Sequence, residues 1–158
     1  MLIRKIKPED NPAIEKIIKE TIVEFGLPQE GTAYSDKETP KMFESYQNEK
    51  EKYYVIEENG KTMGGGGIKP LKGAEGTICE LQKMYFHKAI RGRGYGKLLI
   101  ERCLSAAKKI GYTQCYLESD SRMKVAINLY KNQGFRHLEE PMGNTGHYFC
   151  GVWMLKDL

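Results

Sequence analysis

The chain has 158 residues and a formal net charge of +4, from 25 basic and 21 acidic side chains. Hydrophobic residues make up 40% and charged residues 29%, an ordinary mixture for a globular domain. No apolar run approaches the roughly 18 residues of a membrane helix, and Met1–Lys5 leads into no signal-peptide core, so we expect a cytoplasmic protein without a membrane segment. The charge is also too small for a typical nucleic-acid binder.

The numbers and positions of the cysteines and glycines say more about the class of protein. The four cysteines, Cys79, Cys103, Cys115 and Cys150, are far apart and form no Cys-x-x-Cys pair. We therefore expect no metal site, and we expect the cysteines to be packed as small hydrophobic residues in a reducing compartment. Glycine is over-represented, with 17 of 158 residues, about 11% against a background of about 7%.

The first part of the chain predicts a strand, two helices and a hairpin. Leu2–Ile6 alternates as a strand does, and Asp10 is a candidate cap for an amphipathic helix to Phe25. A polar loop, 27–38, follows. Thr39-Pro40 is typical of a helix start, so we expect a second helix to about Glu51. The hairpin is predicted as strands 53–57 and 61–69 around a type I′ turn at Asn59-Gly60.

The second part predicts alternating strands and helices. A long strand, Thr77–Phe86, precedes a run of glycines that opens a helix to about Ile110. The remaining predicted elements are strand 114–118, helix 121–133, and strands 135–139 and 148–155.

The segment Arg91–Lys97 carries the strongest functional signal. It alternates glycine with basic residues between a strand and a helix, so free backbone N–H groups and the helix dipole would together favour an anion such as a phosphate. The phosphate-loop pattern fails, because Lys97 is followed by Leu98. The spacing of the glycines also differs from that of the dinucleotide-binding motif. A basic surface turn without a ligand stays open as the alternative.

This segment resembles the GNAT superfamily of acyl-CoA-dependent N-acyltransferases. Arg91-x-x-Gly94-x-Gly96 matches the family signature Arg/Gln-x-x-Gly-x-Gly/Ala, and it follows a strand that ends in Glu80–Phe86. Farther along, Ala126-x-x-x-Tyr130-x-x-x-Gly134-Phe135 resembles the last helix of the family and its Tyr-x-x-x-Gly-Phe ending. The ordered set spans residues 77–135.

The resemblance implies one GNAT N-acetyltransferase domain over residues 1–158. Its expected fold is α/β (α+β), with a mixed, mostly antiparallel sheet of about seven strands, about four helices and a central splayed pair of parallel strands. The implied co-substrate is acetyl-CoA, with no metal. The implied cofactor-binding residues are Met84, Tyr85, Phe86, Arg91, Gly92, Arg93, Gly94, Tyr95, Gly96, Lys97 and Asn128. Met123 departs from the family, since many relatives have asparagine there, and Asn128 is either its substitute or a solvent-facing residue.

The implied chemistry is direct attack of an amine on a thioester. Because an amine with a pKa near 10.4 is mostly protonated at pH 7, freeing its lone pair costs about 4–5 kcal/mol, and a base is useful. Glu80 stands where the family has a glutamate and is the candidate base, unless it is only a solvated or ion-paired strand carboxylate. Tyr130 matches the general-acid tyrosine, unless it only packs under its helix. His147 is a secondary candidate base, and Cys150 is expected to be packed rather than nucleophilic.

The acceptor is expected to be the primary amine of a small molecule, an amino acid, a polyamine or a peptide, and no nucleic acid or membrane partner is expected. Its pocket is predicted from the 27–38 loop, Gly64–Gly67 and the last hairpin, since glycines in a strand often mark a close approach to the backbone. A homodimer is left open. The alternative function is a non-catalytic CoA-binding sensor or regulatory module on the same fold.

Overall fold

The computed structural model describes every residue, 1–158, and its centre is one mixed sheet. The strands are β1 (Leu2–Lys5), β2 (Lys52–Glu58), β3 (Lys61–Pro70), β4 (Ile78–Phe86), β5 (Gln114–Ser119), β6 (Arg136–Leu138) and β7 (Val152–Asp157). Their order in the sheet is β1-β2-β3-β4-β5-β7-β6. All neighbours are antiparallel except β4 and β5, which are parallel. The predicted seven-stranded sheet with a central parallel pair is confirmed.

Helices cover both faces of this sheet. They are α1 (Asn11–Glu24), α2 (Tyr95–Ile110) and α3 (Lys124–Asn132). Tyr53 and Val55 of β2 pack in one core with the isoleucines of α1, whereas Tyr54 and Ile56 pack in the other core with α2. Successive strand residues point to opposite faces, so this single strand contributes to both cores. No helix is long and apolar enough to span a bilayer.

The predicted helix from Thr39 to Glu51 is wrong. The segment forms two short 3-10 turns, Thr39–Lys41 and Glu44–Tyr46, so the chain has three α-helices rather than four. The side chain of Thr39 does not cap the segment, because its hydroxyl donates to the carbonyl of Ala33. The hydroxyl of Ser45 donates to the carbonyl of Lys41 at 2.8 Å. Such local side-chain bonds compete with regular helical hydrogen bonding.

The glycine run in β3 packs against protein atoms, and none of Gly64–Gly67 lines the cleft that holds Glu80 and Tyr130, so its predicted role in the acceptor pocket gains no support. A Cβ on Gly65 would lie 2.6 Å from the ring of Tyr53, and one on Gly67 would lie 2.5 Å from the carbonyl oxygen of Lys52. A Cβ on Gly66 would lie 3.2 Å from Leu99 of α2. The missing side chains make room for aromatic rings on one face and for α2 on the other.

The predicted hairpin turn is confirmed. Asn59 and Gly60 have φ values of 52° and 73°, as both central residues of a type I′ turn require. Gly134, with φ of 85°, follows α3 as expected.

Some predicted element ends are wrong. The helix α3 begins at Lys124 and not at residue 121, and the last strand covers Val152–Asp157 and not 148–155. The side chain of Asp10 makes no capping hydrogen bond to α1.

Candidate active site

The two parallel strands separate soon after they begin. Their pairing runs from Ile78–Gln114 to Glu80–Tyr116 and then stops. Beyond Glu80, the edge of β4 that faces β5 has no strand partner. The separation opens a gap in the middle of the sheet, with free backbone groups along one wall.

A β-bulge in β4 lies beside this gap. Gly65 pairs with Tyr85 and Gly67 pairs with Gln82, so Lys83 and Met84 together oppose a single residue of β3. Lys83 has a positive φ of 49°, which is rare for a residue with a side chain. The hydroxyl of Tyr53 donates to its carbonyl oxygen at 2.9 Å. A bulge redirects the residues that follow it, here those that line the open edge of β4.

One open cleft of about 940 Å³ lies between the end of β4, the glycine turn and α3. Most of the predicted cofactor residues line it, namely Met84, Tyr85, Phe86, Arg91, Gly92, Gly94, Tyr95, Gly96 and Lys97. Two do not. Asn128 is exposed on α3, and the guanidinium of Arg93 pairs with Glu58 at 2.8 Å. The geometry gives no support to a cofactor contact by either residue.

The glycine turn presents unpaired backbone donors. Gly92 and Gly94 have φ values of 73° and 83°. The N–H groups of residues 92–94 make no hydrogen bond within the chain. The first N–H groups of α2 also have no intrahelical partner. A run of free N–H groups at a helix N-terminus is the donor set that binds phosphate.

The two arginines of the turn are held by protein carboxylates. Arg91 pairs with Glu24 of α1 at 2.8 Å, and its Nε donates to the carbonyl of Phe86 at 2.8 Å. Its guanidinium therefore ties the turn to α1 and to the end of β4. Lys97 is the remaining basic side chain at this cleft, and it is exposed, 3.9 Å from Glu101.

A second cleft, of about 830 Å³, lies on the other side of the gap. It is lined by the loop after α1, by β4, by the end of β5, by α3 and by the segment before β7. Glu80 and Tyr130, the two predicted catalytic residues, both line it. The two clefts share Met84, Tyr85, Met123 and Ala126, so they meet at the gap between β4 and β5.

Glu80 is a buried carboxyl group with one side-chain hydrogen bond. Its side chain is 4% exposed, and Oε2 accepts from Nε2 of Gln82 at 2.6 Å. The hydroxyl of Tyr46 donates to Oε1 of Gln82 at 2.9 Å, which orients that amide. Burial raises the pKa of Glu80 to about 7, and the negative charge of Glu118 adds to this rise. A carboxyl group of this pKa can accept a proton near neutral pH.

Tyr130 lies at the base of the second cleft. Its ring packs edge-on against Phe135, with centroids 6.1 Å apart, and its hydroxyl makes no hydrogen bond within the chain. Burial raises the pKa of the phenol above its usual value. The hydroxyl is therefore protonated at neutral pH and free to donate to a bound molecule.

An ion-pair network closes the far end of this cleft. Asp36 of the loop after α1 lies 3.0 Å from Nε2 of His147 and 3.1 Å from Nζ of Lys83. Glu38 lies 3.2 Å from Lys83 as well. The hydrogen bond that His147 donates to Asp36 raises the pKa of His147. Burial alone would raise the pKa of Asp36, but the hydrogen bond from His147 and the charge of Lys83 outweigh it and lower that pKa.

Glu118, His147 and Cys150 are the one group of side chains with metal-ligating atoms close together, within 4.8 Å of one another. Both carboxylate oxygens of Glu118 already accept hydrogen bonds, from Tyr116 and Thr145, each at 2.8 Å. His147 is engaged by Asp36. Burial raises the pKa of Cys150 to about 12, which keeps it a neutral thiol and a poor ligand.

Three polar residues of this site, Gln82, Glu118 and Lys83, were not predicted from the sequence. Gln82 is two residues from Glu80 on the same strand face, so strand alternation could have found it. Glu118 is the last residue of the predicted strand 114–118. A carboxylate at the end of a strand expected to separate from its neighbour could have indicated a site residue. Lys83 had no such signal, because its direction depends on the bulge.

The comparisons with known proteins agree with this geometry. The model of the Acetyltransferase (GNAT) family matches residues 17–135. The uncharacterized N-acetyltransferase YjgM of Escherichia coli K12 is 41% identical over 158 residues, which cover 99% of this chain and 95% of that protein. An acetyltransferase of the GNAT family from Staphylococcus aureus Mu50 superimposes with a TM-score of 0.84 at 18% identity, covering 99% of this chain and 98% of that one.

A GNAT superfamily phosphinothricin acetyltransferase from Sinorhizobium meliloti, solved in complex with acetyl-CoA, superimposes with a TM-score of 0.78 at 20% identity, covering 99% of this chain and 88% of that one. These solved structures establish the fold, and the family model and the relative from Escherichia coli establish the family. With its splayed strand pair and its glycine turn at the start of α2, the chain belongs to the GNAT family of acetyltransferases.

Proposed function

We propose that this protein transfers the acetyl group of acetyl-CoA to a primary amine by direct attack. The observation that carries the proposal is the meeting of two clefts at the gap between β4 and β5, one bordered by free N–H donors and the other by Glu80 and Tyr130. A two-substrate transfer needs this arrangement, because the acyl donor and the acceptor must reach one point from different sides.

The hydrogen-bond donors of the first cleft suit acetyl-CoA. The free N–H groups of residues 92–94 and the start of α2 suit a pyrophosphate, and Lys97 adds a positive charge. The edge of β4 at Met84 and Phe86 has no strand partner on the side of β5, and only the carbonyl of Phe86 is bonded there, by Nε of Arg91. This edge suits the amide groups of a pantetheine arm, which would pair with it as an added strand does. When bound, acetyl-CoA would supply an activated acyl group as a thioester.

Glu80 is proposed as the base, acting directly or through a water molecule. The acceptor nitrogen must lose a proton to attack, and a carboxylate with a pKa near 7 is matched to that task at neutral pH. The bond from Gln82 occupies Oε2 and leaves Oε1 for the proton. The carbon–nitrogen bond forms and the carbon–sulfur bond then breaks. The ammonium nitrogen loses two protons on becoming an amide: the first passes to solvent before the attack, and the second ends on Glu80.

Tyr130 is proposed as the acid. The departing sulfur leaves with the electron pair of the broken bond, and the unpaired hydroxyl of Tyr130 can donate a proton to it. Cys150 is not proposed as an acyl carrier, because burial keeps it a neutral thiol and no base contacts it.

Two measurements test this function. Saturating acetyl-CoA is expected to raise the melting temperature, since a ligand at about 100 times its Kd stabilises by about 2.7 kcal/mol. Release of free CoA thiol over a panel of amines is then expected for at least one amine. No thermal shift would contradict any CoA-linked role. A shift without thiol release from any amine would favour the non-catalytic sensor.

A further inference from the structure

The charges in the second cleft point to a particular class of acceptor. The charged side chains that line it are Glu80, Lys83, Glu118, Asp120 and His147. Both cations are already paired. Lys83 lies 3.1 Å from Asp36 and 3.2 Å from Glu38, and His147 lies 3.0 Å from Asp36. The cleft therefore holds no free positive charge for an acceptor carboxylate.

The anions of the cleft are not all paired. Asp120 lies 2.7 Å from Nε of Arg122. Glu118 has only neutral hydrogen-bond donors, the hydroxyls of Tyr116 and Thr145. A ring nitrogen of His147 lies within 4.8 Å of Glu118, but the salt bridge of that histidine is with Asp36. Glu118 is thus a half-buried carboxylate without a cation in contact with it.

Glu118 lies on β5, across the gap from Glu80 of β4. It follows Tyr116 by two residues, and Tyr116 is the register partner of Glu80 across the parallel pair. Glu80 and Glu118 therefore line the same cleft from its two separating strands. An acceptor whose amine reaches Glu80 can extend along the cleft to Glu118.

We propose that the acceptor is an amine with a second ammonium group, a diamine or polyamine, and that Glu118 binds this second cation. The inference rests on the proposed acetyl transfer. A half-buried carboxylate with only neutral partners gains a charge-assisted hydrogen bond when a cation arrives. An acceptor with a carboxylate at the same place would face Glu118 with no free cation to offset the repulsion.

The test compares three acceptors of similar length, 1,4-diaminobutane, 1-aminobutane and 4-aminobutanoate. We expect wild-type kcat/KM to be highest for the diamine, by roughly ten- to a hundredfold over the monoamine, which is what a hydrogen bond to a charged group contributes. The Glu118→Gln variant keeps an oxygen acceptor for Tyr116 and Thr145 and removes the charge. It is expected to lose the diamine preference, seen as a higher KM for the diamine. Because the charge of Glu118 also raises the pKa of Glu80, the two amines are compared within each variant at a pH above this pKa, and the ratio of their kcat/KM values is the readout.

The control variant is Glu9→Gln, which makes the same charge change at an exposed position before α1. It is expected to retain the diamine preference in full. Equal rates with diamine and monoamine in the wild type would overturn the inference. So would an equal loss for both amines in Glu118→Gln, which would indicate a base or a structural role. Thermal melts of each variant show whether it is folded.

Binding without turnover separates this inference from the proposed function. Calorimetric titration of 1,4-diaminobutane into the protein, with and without CoA, requires no acetyl transfer. Diamine binding that is weakened roughly tenfold or more in Glu118→Gln supports the cation site even if no amine is acetylated. Absence of binding, or equal binding of 1-aminobutane, overturns the inference even if other amines release CoA.

Discussion

The burial of Glu80 raises its pKa and therefore determines the pH dependence expected of the reaction. Its pKa of about 7 predicts that kcat/KM rises with pH through about 7, because the free enzyme must hold this carboxylate ionised to accept a proton. Glu80→Gln is expected to lower the rate by about 10²- to 10⁴-fold and to remove this limb of the profile. Steady-state rates over pH, with the best amine from the panel, measure both effects.

Gln82 offers a second variant for the same profile. Its hydrogen bond lowers the pKa of Glu80 against the effect of burial. Gln82→Leu should therefore move the limb to higher pH rather than abolish it. A profile that keeps its limb near pH 7 in Glu80→Gln would assign the base to another group.

Burial of Glu80 also predicts a change in stability. The folded pKa of Glu80 lies above the unfolded value of about 4.5, so the folded state binds this proton more tightly and loses stability as pH rises from about 4.5 to about 7. Glu80→Gln removes this cost. The variant is expected to be more stable than the wild type by about 3 kcal/mol at about pH 8 and nearly equal to it at about pH 4. Urea denaturation at the two pH values measures the difference.

Tyr130 is expected to act on turnover and not on cofactor affinity. Tyr130→Phe keeps the ring that packs against Phe135 and removes only the hydroxyl, which has no partner within the chain. We expect a fall in kcat of about 10²-fold or more with little change in the acetyl-CoA thermal shift. An unchanged kcat would exclude Tyr130 as the acid.

The glycine run of β3 determines how closely β2 and α2 pack against that strand. Gly67→Ala is expected to destabilise the protein by about 1–3 kcal/mol, because the new Cβ would lie 2.5 Å from the backbone oxygen of Lys52 and 2.6 Å from the ring of Tyr53. Gly76→Ala is the matched control, since its Cβ would have nothing within 4 Å. Comparable losses of melting temperature in the two variants would contradict this packing role.

The same elements show what the sequence can and cannot predict. The order of elements from Thr77 to Phe135 was predictable, because period-two and helical patterns are local signals. The turn at Asn59-Gly60 was predictable for the same reason. The segment 39–51 was not, because Thr39 and Ser45 bond to carbonyls outside a regular helix. Helix-start signals reveal the capping residues but not these competing partners.

For the site, several residues could be identified from the sequence, but the partners that their side chains contact could not. Glu80 and Tyr130 were named from a motif and do line one cleft. Arg93 was expected at the cofactor, yet its guanidinium faces Glu58, which lies on β2, far away in the chain. The partners of Lys83 depend on a bulge and on a loop that returns across the sheet. Such contacts between distant segments leave no local pattern.

The network around Asp36 joins three distant segments of the chain at the far end of the second cleft. Asp36 belongs to the loop after α1, Lys83 to the bulge of β4, and His147 to the segment between β6 and β7. The hydrogen bond to Asp36 raises the folded pKa of His147 above its unfolded value of about 6.5. The stabilisation that this ion pair provides is thus fully present below about pH 6.5 and is lost as pH rises through the folded pKa.

His147→Gln is therefore expected to destabilise the protein more at about pH 5.5 than at about pH 9, since the stabilisation by the ion pair is lost as pH rises through the folded pKa of the imidazole. Hydrogen exchange should also become faster in residues 143–151 of the variant at the lower pH, because the tie to the loop after α1 is gone. His137→Gln, an exposed histidine on β6, is the control and should change neither measurement. If His147→Gln costs the same stability at both pH values, His147 stabilises the cleft by packing, and the ion pair with Asp36 contributes nothing measurable.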